Sequence, residues 1–215
     1  MYVGQRMLKG DEFVTIDLDT LVMDAEKIMV EHRLWMLLVV KDGKLVGCVK
    51  KEDVLEALPS RATTLSKHEL NYLLAKLKVE KILKKSVPTI GPEAEIEEAA
   101  QAMFKDDLPG LAVVDSGNRL LGYINRNVML GVLVEEMGLE HGGSRIAFET
   151  EDRTGVMHEV SGLMADMGIS IISTGTFFRN GRRMLVFRVK TDDTAPLEKA
   201  LQGLGYKIVG PGDYA

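Results

Sequence analysis

Residues 37–53 read Leu37-Leu38-Val39-Val40-Lys41-Asp42-Gly43-Lys44-Leu45-Val46-Gly47-Cys48-Val49-Lys50-Lys51-Glu52-Asp53, and this stretch decides the fold. Its two apolar runs, Leu37 to Val40 and Lys44 to Val49, predict two strands joined by a turn that contains glycine. The same pattern returns along the chain, because Thr15-Ile16 recurs as Thr89-Ile90 and Leu45-Val46-Gly47 recurs as Leu120-Leu121-Gly122. The offset grows by one residue in the turn, where a structural duplication tolerates a change of length.

Each copy has the same predicted order: a short strand, an amphipathic helix, the two hairpin strands and a closing helix. The first helix of each copy is indicated by apolar residues at helical spacing: Leu21, Ala25, Ile28 and Met29 in one copy, and Ile96, Ala99, Ala100 and Met103 in the other. Between the copies, Ser66 and Glu69 predict a helix N-terminus ahead of a leucine stripe. The predicted domains are therefore 1–60 and 79–138, with a helical linker over 61–78.

The segment after each hairpin carries the motif on which a family resemblance rests. It runs Gly47-Cys48-Val49-Lys50-Lys51-Glu52-Asp53 in the first copy and Gly122-Tyr123-Ile124-Asn125-Arg126-Asn127-Val128 in the second. This pattern resembles the cystathionine-β-synthase (CBS) domain, in which two copies pair and a Gly-h-x-[Ser/Thr]-x-x-Asp motif addresses the phosphate and ribose of a nucleotide. The resemblance implies a regulatory ligand, AMP, ADP, ATP or a related adenosyl compound, and no cofactor. It implies a nucleotide site lined by Thr15, Ile16, Leu38, Gly47, Lys50 and Asp53.

The two motifs differ at the positions that matter chemically. The first keeps the aspartate, Asp53, whose carboxylate can accept hydrogen bonds from both ribose hydroxyls, and Lys50 adds a charge for a phosphate. The second has Val128 in place of the aspartate and Asn125 in place of the hydroxyl, so we expect it to have lost the ribose grip. The structural alternative is that Asp53 merely caps the helix that follows it.

The C-terminal third, residues 145–212, follows a predicted linker at 139–144 and alternates strand and helix patterns in the order βαββαβ. The turn Asp152-Arg153-Thr154-Gly155-Val156 and the segment Gly168-Ile169-Ser170-Ile171 resemble the ACT domain, a ferredoxin-like regulatory module. The resemblance implies that an amino acid or similar small carboxylate binds at Asp152, Arg153, Thr154, Gly155, Val156, Ser170 and Ile171. Helix N-termini attract carboxylates, but Asp152 and Gly155 fit a plain helix cap and turn equally well.

Composition and motif spacing exclude several classes of protein. The 215-residue chain has a net charge of −5, no long apolar stretch and one cysteine, so we expect a cytoplasmic protein that binds neither nucleic acid nor membrane. The lysines at 76, 78, 81, 84 and 85 are interpreted as a solvated face on and just after a helix. The four histidines are isolated and no nucleophile-elbow or Walker spacing occurs, so we expect no metal site and no enzyme activity.

The order of the two modules, with the segments Glu56-Ala57-Leu58-Pro59-Ser60 and Leu70-Asn71-Tyr72-Leu73-Leu74 between the copies, resembles the bacterial CBS–ACT proteins of the acetoin-utilisation type. We therefore expect a sensor or regulatory protein with small-molecule ligands and an unidentified protein target. We also expect a homodimer, formed through apolar residues such as Leu34, Trp35, Met36, Val132, Leu133 and Met137. Two alternatives stay open: a ligand-free scaffold that works through oligomerisation, which Val128 and Ser170 favour, and an enzyme whose catalytic residues assemble from distant positions.

Overall fold

The computed structural model describes residues 1–58, 72, 75–179 and 181–213. Its internal contacts separate two units, Met1–Leu130 and Gly131–Ala215. Most of the predicted helical linker, including Ser66 and Glu69, lies outside the described residues. The end of that segment, residues 75–78, forms a turn and a β-bridge and is not helical.

The first repeat copy folds into a three-stranded sheet with two helices. Its elements are β1 (Thr15–Ile16), α2 (Val22–Glu31), β2 (Met36–Lys41), β3 (Lys44–Lys50) and α3 (Lys51–Ala57), preceded by a short helix α1 (Val3–Arg6). Strand β1 runs parallel to β2, whereas β2 and β3 form the predicted hairpin. Asp42 and Gly43 have positive φ angles of 52° and 75°, as a tight two-residue hairpin turn requires.

The second copy repeats the first, element by element. It consists of β4 (Thr89–Ile90), α4 (Ile96–Lys105), β5 (Gly110–Val114), β6 (Leu120–Asn125) and α5 (Arg126–Glu136). Even the irregularity of the hairpin is shared, because the register shifts between Val39 and Val40 in one copy and between Val113 and Val114 in the other. The predicted duplication is confirmed.

The two faces of the first sheet pack against different partners. One face packs on the helices of its own copy and builds a core of buried residues: Ile16, Val22, Ala25, Met29, Leu37, Val39, Val49, Val54 and Val79. The other face meets the second copy in a shared core: Met36, Leu38, Leu45, Cys48, Ala112 and Tyr123. Burial on both faces explains why the strands read as continuous apolar runs.

The leading segments of the two copies are exchanged between them. Leu8, in the segment that leads into β1, pairs antiparallel with Tyr123 in β6, and Lys84, in the segment that leads into β4, pairs with Cys48 in β3. Cys48 and Tyr123 follow the equivalent motif glycines of the two copies. The exchange is therefore reciprocal, and each copy adds chain to the sheet of the other.

The second unit confirms the predicted βαββαβ order. Its elements are β7 (Ser144–Thr150), α6 (Val156–Asp166), β8 (Ile171–Arg179), β9 (Arg182–Val189), α7 (Ala195–Gly203) and β10 (Lys207–Ile208). The antiparallel sheet has the order β10-β7-β9-β8, a ferredoxin-like arrangement. Its core contains Ile146, Phe148, Val156, Val160, Met164, Leu185, Phe187, Val189, Leu197, Leu201 and Tyr206.

The predicted linker at 139–144 is fastened to the sheet of the second unit. Arg188 in β9 donates hydrogen bonds to the carbonyl oxygens of Met137 at 3.1 Å and Gly143 at 3.0 Å. The Ser173 hydroxyl donates a further hydrogen bond of 2.8 Å to the Met137 carbonyl. This connecting segment is therefore a bonded part of the unit.

Two of the apolar residues expected to be available for dimer contacts are buried instead. Met36 is 4% exposed because it faces the shared core, and Val132 is 3% exposed. Trp35 and Leu133 are exposed as expected. The helices expose other large apolar side chains, which fall at equivalent positions of the two copies: Val30 with Phe104, and Leu55 with Leu130.

Candidate functional site

The first motif lies where strand β3 ends and helix α3 begins. Lys50 is the last residue of β3, and Asp53 is the third residue of α3. The Asp53 side chain is 13% exposed, and its Oδ2 accepts a long hydrogen bond of 3.4 Å from the Lys50 amide. A carboxylate in the first turn of a helix is also stabilised by the helix dipole. Asp53 thus supports the helix start through one oxygen, but from inside the first turn and not as the residue that precedes the helix, as the capping alternative had it.

The other oxygen of Asp53 contacts a lysine from the opposite copy. Lys84 Nζ lies 3.2 Å from Asp53 Oδ1. The lysine backbone is fixed beside the motif, because Lys84 and Cys48 exchange two backbone hydrogen bonds of 2.9 Å. The Lys84 side chain is 57% exposed, as the interpretation of a solvated face expects, but it also pairs with the motif carboxylate. Sequence analysis missed this residue because the pairing joins segments that are 36 positions apart.

Gly47 is required by the packing of the chain itself. A Cβ atom at this position would lie 2.5 Å from Leu83 Cδ1 and 2.8 Å from the Lys84 carbonyl oxygen. Both distances are well below ordinary contact, so glycine allows the segment that carries Lys84 to lie against β3. The motif glycine therefore has a packing role in addition to any part in ligand binding.

The remaining predicted residues lie on the same sheet but differ in access. Thr15 is opposite Leu38 in the parallel pair of β1 and β2, and its side chain is partly exposed. Ile16 and Leu38 are buried in the two cores, at 6% and 2% exposure. The structure thus places all six predicted residues on one sheet and the helix that follows it. Thr15, Lys50 and Asp53 are partly accessible.

In the second motif, the side chains of Asn125 and Arg126 already have partners within their own copy. Asn125 Oδ1 accepts a 3.0 Å hydrogen bond from the Val128 amide and so caps helix α5. Arg126 pairs with Asp107 and donates to the Leu108 carbonyl at 2.9 Å. The valine offers no acceptor where the first copy has Asp53, so this motif has no equivalent polar site.

The residues that follow the motif glycines face the shared core of the two copies. Cys48 is 1% exposed, and burial raises the pKa of its thiol. Burial also raises the pKa of Tyr123 to about 12. Both groups are therefore protonated near neutral pH, which fits a structural role in packing.

The predicted amino-acid-binding turn joins β7 to α6. Gly155 precedes the helix with a φ of 87°, which favours glycine over residues with side chains. Arg153 pairs with Glu159 and donates to Tyr206 Oη at 3.1 Å, and that hydroxyl donates to Glu159 at 2.7 Å. The bonds from Tyr206 and Arg153 lower the pKa of Glu159. Burial, with the hydrogen bond to Glu159, raises the pKa of Tyr206 to about 12.

One chain does not bring together the two halves of this predicted site. The turn follows β7, whose last residue Thr150 is opposite Arg183 in β9. Ser170 precedes β8, whose first residue Ile171 is opposite Val189 in β9. Along β9, Arg183 and Val189 are about 20 Å apart at the usual rise of a strand. Ser170 and Ile171 therefore lie at the opposite end of the sheet from the turn.

Arg183 is a candidate binding residue that sequence analysis missed. One guanidinium nitrogen lies 3.3 Å from Asp152 Oδ1, and the Nε atom is buried without a hydrogen-bond partner among the described residues. The available signal was the pair Arg182-Arg183 directly after the hairpin turn. Pairing of β9 with β7 brings this arginine to the turn.

Comparison with protein-family models decides the family of the first unit. The model of the CBS domain matches residues 6–60 and 79–135, which is just over half of the chain. The chain belongs to the CBS domain family. The matched segments end before β7, so this CBS assignment does not extend to the C-terminal sheet.

Among curated proteins, this CBS protein is similar to a CBS domain-containing protein of Dictyostelium discoideum. The two are 30% identical over 63% of this chain and 94% of the relative. It is also similar to a homoserine O-acetyltransferase of Methanohalobium evestigatum, at 29% identity over 57% of this chain. The matched region is 22% of the acetyltransferase, so the similarity concerns about a fifth of that enzyme.

Solved structures share the fold of the CBS pair. CBSX2 of Arabidopsis thaliana in complex with AMP is 25% identical to this chain, with a TM-score of 0.51. The match covers 62% of this chain and 96% of CBSX2. An acetoin-utilisation-type protein (AcuB) from Vibrio cholerae is 21% identical, with a TM-score of 0.54 over 67% of this chain and 98% of that chain. The second likeness concerns the fold alone.

The described part of the chain offers neither a metal-binding cluster nor a membrane-spanning helix. No group of three or more histidine, cysteine or carboxylate residues there could hold a metal ion. Within the same residues, no helix combines the length and the apolar character needed to cross a membrane.

Proposed function

We propose that the CBS pair is a regulatory sensor that binds an adenine nucleotide at its first motif. The observation that carries this proposal is the position of Asp53, a mostly buried carboxylate at a helix start that accepts from the Lys50 amide and pairs with Lys84. The Lys50 ammonium group lies 3.5 Å from Glu52 on the exposed side of the same helix start. A carboxylate accepts hydrogen bonds from ribose hydroxyls, and lysine supplies positive charge for a phosphate. The AMP complex of the related CBSX2 supports the same class of ligand.

The other predicted residues have supporting roles in this proposal. Thr15 offers a hydroxyl at the edge formed by β1, and Gly47 allows the close approach of the segment that carries Lys84. Ile16 and Leu38 anchor β1 and β2 in the two cores and so hold the site in place.

Calorimetric titration of the full chain with AMP tests the proposal. Replacing Asp53 with asparagine removes the charged acceptor but keeps its shape, and we expect AMP affinity to fall by about 1–3 kcal/mol. The matched control is Asp24→Asn on α2, whose carboxylate pairs with Lys27 on the helix surface. Equal AMP affinity in the wild type and the Asp53 variant, with both folded, would place the nucleotide elsewhere.

For the second unit we propose an ACT-type domain that binds an amino acid or similar small carboxylate at the turn Asp152–Val156. The βαββαβ order, the left-handed Gly155 and the unpartnered Nε of Arg183 support this assignment. Because Ser170 and Ile171 lie at the other end of the sheet, they can complete such a site only from a second copy of the chain. Titration with the common amino acids, repeated on Arg183→Gln, tests this; undiminished binding in the variant would exclude the turn.

The competing function is a scaffold that has lost its ligands and works through oligomerisation. The second motif favours it, because Val128 has replaced the aspartate and Asn125 is committed to the helix cap. A chain that forms a stable oligomer but binds neither adenine nucleotides nor amino acids at millimolar concentration would support the scaffold. Binding at either module would exclude it.

A further inference from the structure

The ion pair between Lys84 and Asp53 has an informative counterpart in the second copy. Lys84 pairs with Cys48, and Leu8 makes the same antiparallel bridge with Tyr123. Leu8 is thus the structural equivalent of Lys84, just as Val128 occupies the motif position of Asp53. The first motif therefore has a lysine and an aspartate at the two positions where the second motif has a leucine and a valine.

The paired replacement indicates that the lysine and the aspartate work together. An ion pair whose ammonium group is largely in solvent contributes little to stability on its own, and the Lys84 side chain is 57% exposed although that of Asp53 is only 13% exposed. The backbone pairing at this place is kept in both copies, whatever side chain it carries. Both side chains therefore differ between the copies, whereas the backbone pairing is the same. This difference fits a role of the two side chains in binding better than a role in folding.

The backbone of Lys84 is held firmly in place although its side chain is exposed. Two backbone hydrogen bonds of 2.9 Å hold it against Cys48, and Gly47 leaves just enough room for its carbonyl group. Its flexible side chain can therefore move from Asp53 to a ligand without any change of backbone. The neighbouring Lys85 is exposed and follows it in the chain.

We propose that Lys84 is a specificity-determining residue that selects phosphorylated nucleosides over uncharged adenosyl compounds. This inference rests on the proposed nucleotide site at Asp53. In the free protein the ammonium group neutralises Asp53 at 3.2 Å. When a nucleoside monophosphate binds, its ribose hydroxyls donate hydrogen bonds to the carboxylate, and its phosphate oxygens accept hydrogen bonds from the ammonium group. Adenosine or 5′-methylthioadenosine must separate the ion pair without offering the lysine a new anion.

The test compares AMP with adenosine on the full chain, in wild type and in Lys84→Gln, by titration calorimetry at constant salt. We expect the variant to lose about tenfold or more of its AMP affinity, the scale of a hydrogen bond to a charged group. Its affinity for adenosine should be unchanged or higher, because Asp53 is released. Lys85→Gln is the matched control and should keep the wild-type preference, while Lys84→Arg should retain most of it.

The outcomes separate this inference from the proposed function. If the wild type binds AMP and Lys84→Gln loses the same factor of affinity for AMP and for adenosine, the specificity role is overturned. The nucleotide site would still stand. An unchanged AMP affinity in that variant would have the same two consequences. A wild-type chain that binds neither ligand would overturn both. Thermal unfolding of each variant shows whether the fold is intact, and we expect Lys84→Gln to unfold within a few degrees of wild type.

Discussion

Replacing Gly47 with alanine should disturb the contact on which the CBS pair and its candidate site both depend. The new Cβ would lie 2.8 Å from the Lys84 carbonyl oxygen, whereas ordinary contacts begin near 3.4 Å. The carbonyl would have to recede by about 0.6 Å, which stretches its 2.9 Å bond from the Cys48 amide to the limit of a hydrogen bond. Overpacking costs about 1–3 kcal/mol, and a lost backbone hydrogen bond about 0.5–1.5 kcal/mol.

The expected result is a fall of about 2–4 kcal/mol in the free energy of unfolding of the first unit. Urea unfolding followed by the fluorescence of Trp35, the single tryptophan, reports on this unit. Gly175→Ala is the control, because a Cβ at that strand position would meet Met137 Cε at an ordinary 3.7 Å. A Gly47→Ala chain with wild-type stability and unchanged amide exchange at Cys48 would refute the reasoning.

Three further predictions concern the connecting segment, the C-terminal turn and assembly. Arg188→Lys cannot hold several carbonyl groups at once, so hydrogen exchange across 137–143 should accelerate by about tenfold or more; unchanged exchange would contradict the fastening role. Glu159 has a lowered pKa, so its contribution to stability is present above the ordinary value of 4.5 and is lost as the pH falls through the lower folded value. The free energy of unfolding of Glu159→Gln should therefore fall less steeply with decreasing pH than that of the wild type. Identical profiles of stability against pH in the two chains would count against the bonded turn. Sedimentation should give a homodimer at micromolar concentration that Phe104→Asp weakens, because this side chain is 90% exposed; a monomeric wild type would exclude it.

The repeat made the first unit predictable from sequence. Two copies of an apolar hairpin each supply the same strand order, and the shared register shift at Val39 and Val113 follows from that duplication. The βαββαβ order of the second unit was predictable for a similar reason, since its periods of two and 3.6 residues alternate without interruption.

The contacts of the candidate site were less predictable, because they depend on segments that are far apart in the chain. Lys84 reaches Asp53 through an exchange of leading segments between the copies, and no local pattern indicates such an exchange. Arg183 reaches the turn through strand pairing. Ser170 matched a motif locally, but the sheet register places it at the far end from the turn.

A crystal structure of the full chain grown with AMP tests the central claim most directly. The account predicts one nucleotide for each CBS pair, with ribose hydroxyls within hydrogen-bond distance of Asp53 and the phosphate on Lys84 or Lys50. Crystals grown at millimolar AMP that show no nucleotide, or show it beside Val128 in the second motif, would contradict it.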